Sequence, residues 1–434
     1  MEREHKCPFC RAGITTQNCA VFFRLQGDPV TFNDQEGGDR LLFAARNLAD
    51  KNIEEAVVRY RSLRRLTSGW FFRDKLDFSG DEEFPGWYKL SVDRDQPNAI
   101  SATLYHKTLP RTLTTNIPAC SVCGYPLPTD FFECEQIFIS LVGKPMSGKS
   151  VALSVSMRSN CDCFNRAITG SVNRYSAVMA DDWAYRGWYS SSAIKLNRDI
   201  LPGHTERHLL PPAQIRRLCA DTKYLISIFD ASGDILDFDH PAEFAYLSDC
   251  DGCIIIEPAH EMFGSRPNSA VSRDRKVLLS EEEQKKLQAP SAAQAPLSEK
   301  YANVDLDNIV GYVEGYLPSN GYIAFALSKA DIGPEKIRAL LAQSAAEKGK
   351  FQANIVNQKS TLIQQYLREA GHPIRLASEE SKYFAFSALG YIEIDNKEER
   401  LLKQIDPMCL EEPFLWIIEK VISDRKKQQN TTEA

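Results

Sequence analysis

The residues with the clearest chemical use are Gly143-Lys144-Pro145-Met146-Ser147-Gly148-Lys149-Ser150. Two glycines flanking a short turn, followed by Lys and Ser, let backbone N–H groups wrap phosphate oxygens at the start of a helix. In that pattern Lys149 reaches the outer phosphates and the Ser150 hydroxyl ligates magnesium. Downstream, Asp230 closes an apolar run and Gly233 follows it, which suits a magnesium-side carboxylate and an amide that senses a terminal phosphate. A third apolar run leads into Ser328-Lys329-Ala330-Asp331. A carboxylate at Asp331 can accept from guanine N1–H and the 2-amino group together, a donor pair that adenine lacks. The Lys329 stem would lie along the base face. A fourth run ends in Ser387-Ala388-Leu389-Gly390, where a backbone N–H could mark guanine O6.

A second chemistry is carried by cysteines. Cys7-Pro-Phe-Cys10 and Cys120-Ser-Val-Cys123-Gly124 each have the CxxC form of a knuckle that aims two thiolates at one ion. Two such turns complete a tetrahedral zinc site made of four thiolates. Residues 11–119 lie between them, far more than an ordinary zinc ribbon carries, so the metal would close a very long loop. A redox CxxC or unrelated core thiols are the alternatives. Cys161 and Cys163 form a CxC that remains unassigned.

These residues need elements to place them. The runs QIFISLV, KYLISIF, GCIIIE, GYIAFAL and YFAFSA are short, apolar and not alternating, which suits strands covered on both faces. Helical stretches are expected between them at about 150–158, 334–348 and 360–368. A last helix is expected over about 411–425, with Phe414, Ile417, Ile418 and Val421 as its stripe. Strands alternating with helices predict an α/β fold, a mostly parallel sheet flanked by helices. Before residue 130 the chain is rich in aromatics, with AVFFRL, GWFFRDKLDF and WYKLSV reading as strands and 53–66 as a helix, so an α+β module is expected there. The expected division is a zinc-stapled module over 1–130 and a nucleotide-binding domain over 131–425. Residues 264–305, rich in Ser, Ala and Pro, would be a mobile insertion in that domain, and 426–434 a disordered tail.

Composition removes several classes. A net charge of -6 gives no global positive field, so nucleic acid is not an expected partner. The arginines of 59–65 read as a solvated helix face. No run of about 18 apolar residues is present, so no membrane span is expected. The charged start MEREHKCPFC lacks the apolar core of a secretory leader. Twelve cysteines in 434 residues do not make a disulfide scaffold, and the cytoplasm is the expected compartment.

With its four anchors in order, the sequence resembles the Ras-like P-loop GTPase superfamily, whose motifs are GxxxxGK[ST], a switch threonine, DxxG, [NT]KxD and SAK. The resemblance implies GTP and GDP as ligands, magnesium as cofactor, and a molecular switch with GTPase activity. Ser328 stands where the family has Asn or Thr, and Leu389 where it has Lys. The resemblance places the switch threonine at Thr205, after a Pro-Gly turn, with Thr169 and Thr222 as rivals. It places the catalytic glutamine position at Asp234, beside Gly233 and Lys149. An Asp there can accept from water but is short and adds negative charge, so slow turnover is expected, at or below about 10⁻² s⁻¹. An activating arginine would come from a protein partner or from Arg198 or Arg207. Paired cysteine knuckles ahead of this arrangement, and the phrase FISLVGKPMSGKS, are also similar to bacterial double-GTPase families of conflict and defence operons. Those families act as switches beside partner proteins. A P-loop ATPase, with the last two motifs accidental, and a non-enzymatic nucleotide-bound scaffold are the competing readings.

Overall fold

The computed structural model describes residues 4–8, 10–25, 40–44, 52–53, 58–62, 82–83, 87–93, 100–108, 110–122, 124, 126–144, 147–157, 162–165, 174–177, 213–219, 222–230, 246–263, 306–346, 351–376, 380–390 and 406–433. Contacts divide the chain into two units. One holds the chain up to Ile137 and the stretch ending at Phe229, and the other holds Phe138–Tyr175 and everything from Asp230. The division therefore differs from a single cut at residue 130. Part of the strand pattern expected of the nucleotide domain clusters with the N-terminal module.

The first unit is built on antiparallel pairs. β1 (His5–Lys6) and β2 (Gly13–Ile14) form a small ribbon. β3 (Ala20–Leu25), β4 (Arg40–Ala44), β6 (Val58–Ser62), β7 (Glu82–Glu83) and β11 (Ile117–Ala119) make a sheet of order β11-β3-β4-β6-β7. β5 (Asn52–Ile53), β8 (Trp87–Asp93), β9 (Ser101–His106) and β10 (Thr112–Thr115) make another of order β10-β9-β8-β5. Among the described residues before 130 every regular element is a strand. Of the expected helix over 53–66, the described residues 53 and 58–62 lie instead in β5 and β6. Its Val-Arg-Tyr-Arg-Ser stretch alternates with period two, and β6 finds partners on both sides in β4 and β7. Pairing of β-branched and aromatic residues outweighs the helical spacing of the longer segment. The run GWFFRDKLDF lies outside the described residues.

A seven-stranded mixed sheet has the order β13-β14-β15-β12-β16-β17-β18. β12 is Cys134–Val142, β13 Arg174–Ala177, β14 Ala213–Leu218, β15 Lys223–Asp230, β16 Gly252–Pro258, β17 Tyr322–Ser328 and β18 Lys382–Ala385. β12, β16, β17 and β18 are parallel, while β14 and β15 form an antiparallel pair. Residues of β16 and β17 are buried throughout, as continuous apolar runs in a covered parallel sheet must be.

Among the described residues there are seven helices: α1 (Lys149–Ser156), α2 (Asp162–Asn165), α3 (Ala259–Met262), α4 (Leu306–Tyr316), α5 (Glu335–Leu341), α6 (Ala353–Glu369) and α7 (Glu412–Glu433). On α7, Phe414, Ile417, Ile418 and Val421 are all buried, and Trp416 packs on Tyr322 and Phe384 at ring separations of 5.7 and 5.8 Å. The helix runs to Glu433 rather than fraying from 426, which corrects the disordered tail. Its N-terminus is fixed by Glu412, whose carboxylate accepts from the Ala345 N–H at 2.9 Å and from Lys359 Nζ at 2.7 and 2.9 Å. Both partners of that ion pair are buried. Residues 264–305 lie outside the described residues. No described helix is long and apolar enough to cross a membrane.

Candidate functional site

β12 delivers its buried carboxyl end into Gly143. A Cβ built on Gly143 would lie 2.2 Å from the Ile256 carbonyl oxygen, so the backbone of β16 passes too close for any side chain. Gly148 has φ 95° and ψ 13°, a left-handed conformation that glycine adopts at little cost, and it caps α1. Ser147 is fully buried and its N–H bonds to the Lys144 carbonyl at 3.2 Å. Lys149, the first residue of α1, is 5% exposed and folds its ammonium back into the hollow of this loop. It donates to the Gly143 and Lys144 carbonyls at 2.6 and 2.8 Å and lies 3.3 Å from Ser147 Oγ. A cation held on neutral carbonyls at a helix N-terminus is poised to exchange them for an anion. Ser150 is the second residue of α1, and its side chain, like Pro145 and Met146, lies outside the described residues.

The parallel register carries three further segments to the same sheet edge. Pro258 pairs with Ser328, and Leu327 with Ala385. Ser328 Oγ donates to the Ser147 carbonyl at 2.5 Å and lies 3.4 Å from the Glu257 carbonyl, joining the phosphate-type loop to β16 and β17. Lys329 is left-handed at φ 52°, and its Cε lies 3.9 Å from the point where a Gly148 Cβ would sit. Asp331 follows in a 3-10 turn over Ala330–Ile332 and is partly exposed. The Ala330 N–H reaches the Phe386 carbonyl at 3.1 Å, which brings the turn after β17 onto the end of β18.

Ser387, Ala388, Leu389 and Gly390 form a tight turn. Ser387 Oγ accepts from the Gly390 N–H at 3.0 Å. Ser387 exchanges two backbone bonds with Met408, and Asp406 donates to the Leu389 carbonyl. Gly390 is required twice over, by φ 81° and by the Asp406 carbonyl oxygen 2.1 Å from where its Cβ would be. Gly143, Lys144, Ser147, Gly148, Lys149, Ser328 and Lys329 are thus brought together, with Asp331 and 387–390 in adjoining turns. Asp230 is buried at the carboxyl end of β15. Thr222 lies at the opposite end of that strand, in the turn after β14. Thr169, Arg198, Thr205, Arg207, Gly233 and Asp234 lie outside the described residues.

One residue of this edge was missed by motif reading. Glu257, next to last in β16, is fully buried, and neither carboxylate oxygen accepts a hydrogen bond from a side chain. The Lys144 ammonium is 4.0 Å from Oε2. Burial pushes the carboxyl up to about 7, against the pull of Lys144 and Lys149. Its signal in the sequence is the one that singled out Asp230, an acid ending an apolar strand. No glycine follows it to complete a recognisable motif.

In the first unit the Sγ atoms of Cys7, Cys10 and Cys120 lie within 4.8 Å of one another, with Cys10 and Cys120 3.6 Å apart. Each knuckle is closed by backbone bonds: Cys7 N–H to Ala12, Arg11 N–H to Cys7, and Gly124 N–H to Cys120. Zn–S bonds of about 2.3 Å put tetrahedral sulfurs roughly 3.8 Å apart, and this donor set fits that geometry. Cys123 lies outside the described residues. Cys163 is a buried thiol directed at the Ser156 carbonyl and takes no part in this cluster. Compared with known proteins, the chain matches no protein-family model and no curated protein.

Proposed function

We propose that this chain binds a guanine nucleotide at the carboxyl edge of β12, β16, β17 and β18 and acts as a slowly hydrolysing GTP switch. The observation that carries the reading is the Ser328 bond to Ser147, which fastens the phosphate-type loop to the segment holding Asp331. Ligands of open α/β sheets sit outside the carboxyl ends of the strands, where the order of strands reverses. Here β12 is the strand at which that order reverses, and the loop of Gly143–Lys149 follows it directly. The donor set has the right chemistry: helix N-terminal amides and Lys149 for phosphate, a carboxylate for a 2-amino purine, and backbone amides of the 387–390 turn for a carbonyl oxygen.

Magnesium supplies charge neutralisation across the outer phosphates, and Asp230, Ser150 and Thr205 are the residues that would hold it. Asp234 would orient water poorly, so rapid turnover needs an activating group from a protein partner. The cysteine cluster would hold one zinc ion that staples residues 7–10 to residues 120–123 and so keeps the first unit closed. A role beside partner proteins, of the kind found in conflict and defence operons, rests on the sequence resemblance alone.

The test compares fluorescent GTP and ATP analogues on the wild type and on Asp331→Asn. A guanine preference of at least about a hundredfold, reduced about tenfold or more by the substitution, is expected. Equal affinity for the two bases would replace this reading with a P-loop ATPase. Bound GDP without turnover, even with candidate partners added, would replace it with a scaffold.

A further inference from the structure

β16 is apolar along its length except for Glu257. A buried carboxyl whose oxygens accept no side-chain hydrogen bond is costly to keep, and such groups gather at functional sites. The charges that face it come from two directions. Lys144 and Lys149 approach from the phosphate-type loop and α1, and Glu261 from α3, where His260 is its neighbour. The flanking strands add none: Leu327 of β17 is its register partner, Ser328 reaches only its carbonyl, and β12 presents Val142 opposite Ile255.

Lys144 and Lys149 are also the cations available to a bound polyphosphate. An ionised Glu257 and an incoming anion therefore compete for the same two ammonium groups, across a low-dielectric interior that screens little. We propose that Glu257 is a proton-operated gate on anion binding at the phosphate-type loop: protonated, it leaves Lys144 free for the phosphates, and ionised, it holds Lys144 and repels them. The inference rests on the nucleotide-site reading above. It is supported by the raised proton affinity of this carboxyl, which places the change within the physiological range. A bound polyphosphate raises that affinity further, so binding takes up a proton and weakens as pH rises.

The experiment is titration calorimetry of the full-length chain with magnesium and GDP, and separately with inorganic tripolyphosphate. Buffers of different ionisation enthalpy report the protons taken up. For the wild type at pH 7.5, uptake of roughly two thirds of a proton is expected, with Kd rising about tenfold between pH 6.5 and 8.5. Glu257→Gln, which carries the neutral form permanently, takes up no proton through this group, and its Kd changes less than about twofold. The ligand's own protonation is common to both proteins and cancels between them. Equal pH slopes, or no proton uptake by the wild type, overturn the gate. If Glu257→Gln fails to fold, Glu257→Leu and the wild-type proton count decide. Absence of any binding by GDP, ATP and tripolyphosphate at every pH would instead sink the nucleotide-site reading and this inference with it.

Discussion

Glu257→Gln also makes a prediction that involves no ligand. The folded protein holds this carboxyl's proton up to about pH 7, whereas the unfolded chain releases it near 4.5. Below pH 4.5 both states are protonated and the group costs the fold nothing through linkage. Between 4.5 and 7 the unfolded state binds fewer protons, so stability falls as pH rises, and above 7 the loss is complete. At 1.36 kcal/mol for each tenfold in proton affinity, the full loss is about 3 kcal/mol. The amide of Gln does not ionise, so the variant escapes it. The variant bears instead a buried amide that no side chain satisfies, about 1–2 kcal/mol at all pH values. The curves should therefore cross: wild type more stable at pH 5, Glu257→Gln more stable by roughly 1–2 kcal/mol at pH 8. Urea unfolding can be followed through Trp416, buried against Tyr322 and Phe384 beside this sheet. A stability difference that stays constant from pH 5 to 8 refutes the reasoning.

Two further outcomes follow from buried contacts. Lys359→Met leaves the Glu412 carboxylate buried without its cation and should destabilise by about 3–5 kcal/mol in the same assay, whereas Lys359→Met with Glu412→Leu should recover most of it. An unrecovered double variant would show that the pair's value lies elsewhere. Metal analysis of the purified chain should find one zinc ion, lost on Cys10→Ser together with several degrees of thermal stability. Zinc retained in that variant removes Cys10 from the site.

The parallel strands were legible because each is covered on both faces, so apolar runs such as Gly252–Pro258 announce themselves without any alternation. The turns at their carboxyl ends were legible as motifs, and the structure brings the glycine loop and the Ser328 turn into contact. What failed was local reading without partners. Residues 53–66 have helical spacing, but β6 is chosen by β4 and β7, which lie outside any short window. The tail of α7 looked too polar to stay ordered, yet the helix begins on a buried Glu412 anchor and is carried outward by it. Glu257 and Lys359 were invisible for a shared reason. A single charged residue in or beside an apolar stretch reads as a surface position until its burial is known.

The bond between Ser328 and Ser147 spans 181 residues of sequence. As a ribosome delivers the chain, the glycine loop emerges long before the hydroxyl that braces it, and β16 and β17 must pair before the two can meet. The brace on the loop therefore waits for the strands that carry Ser328 to its side. A nascent chain stalled before residue 328 would carry the whole glycine motif and still lack the hydroxyl that ties it to β17.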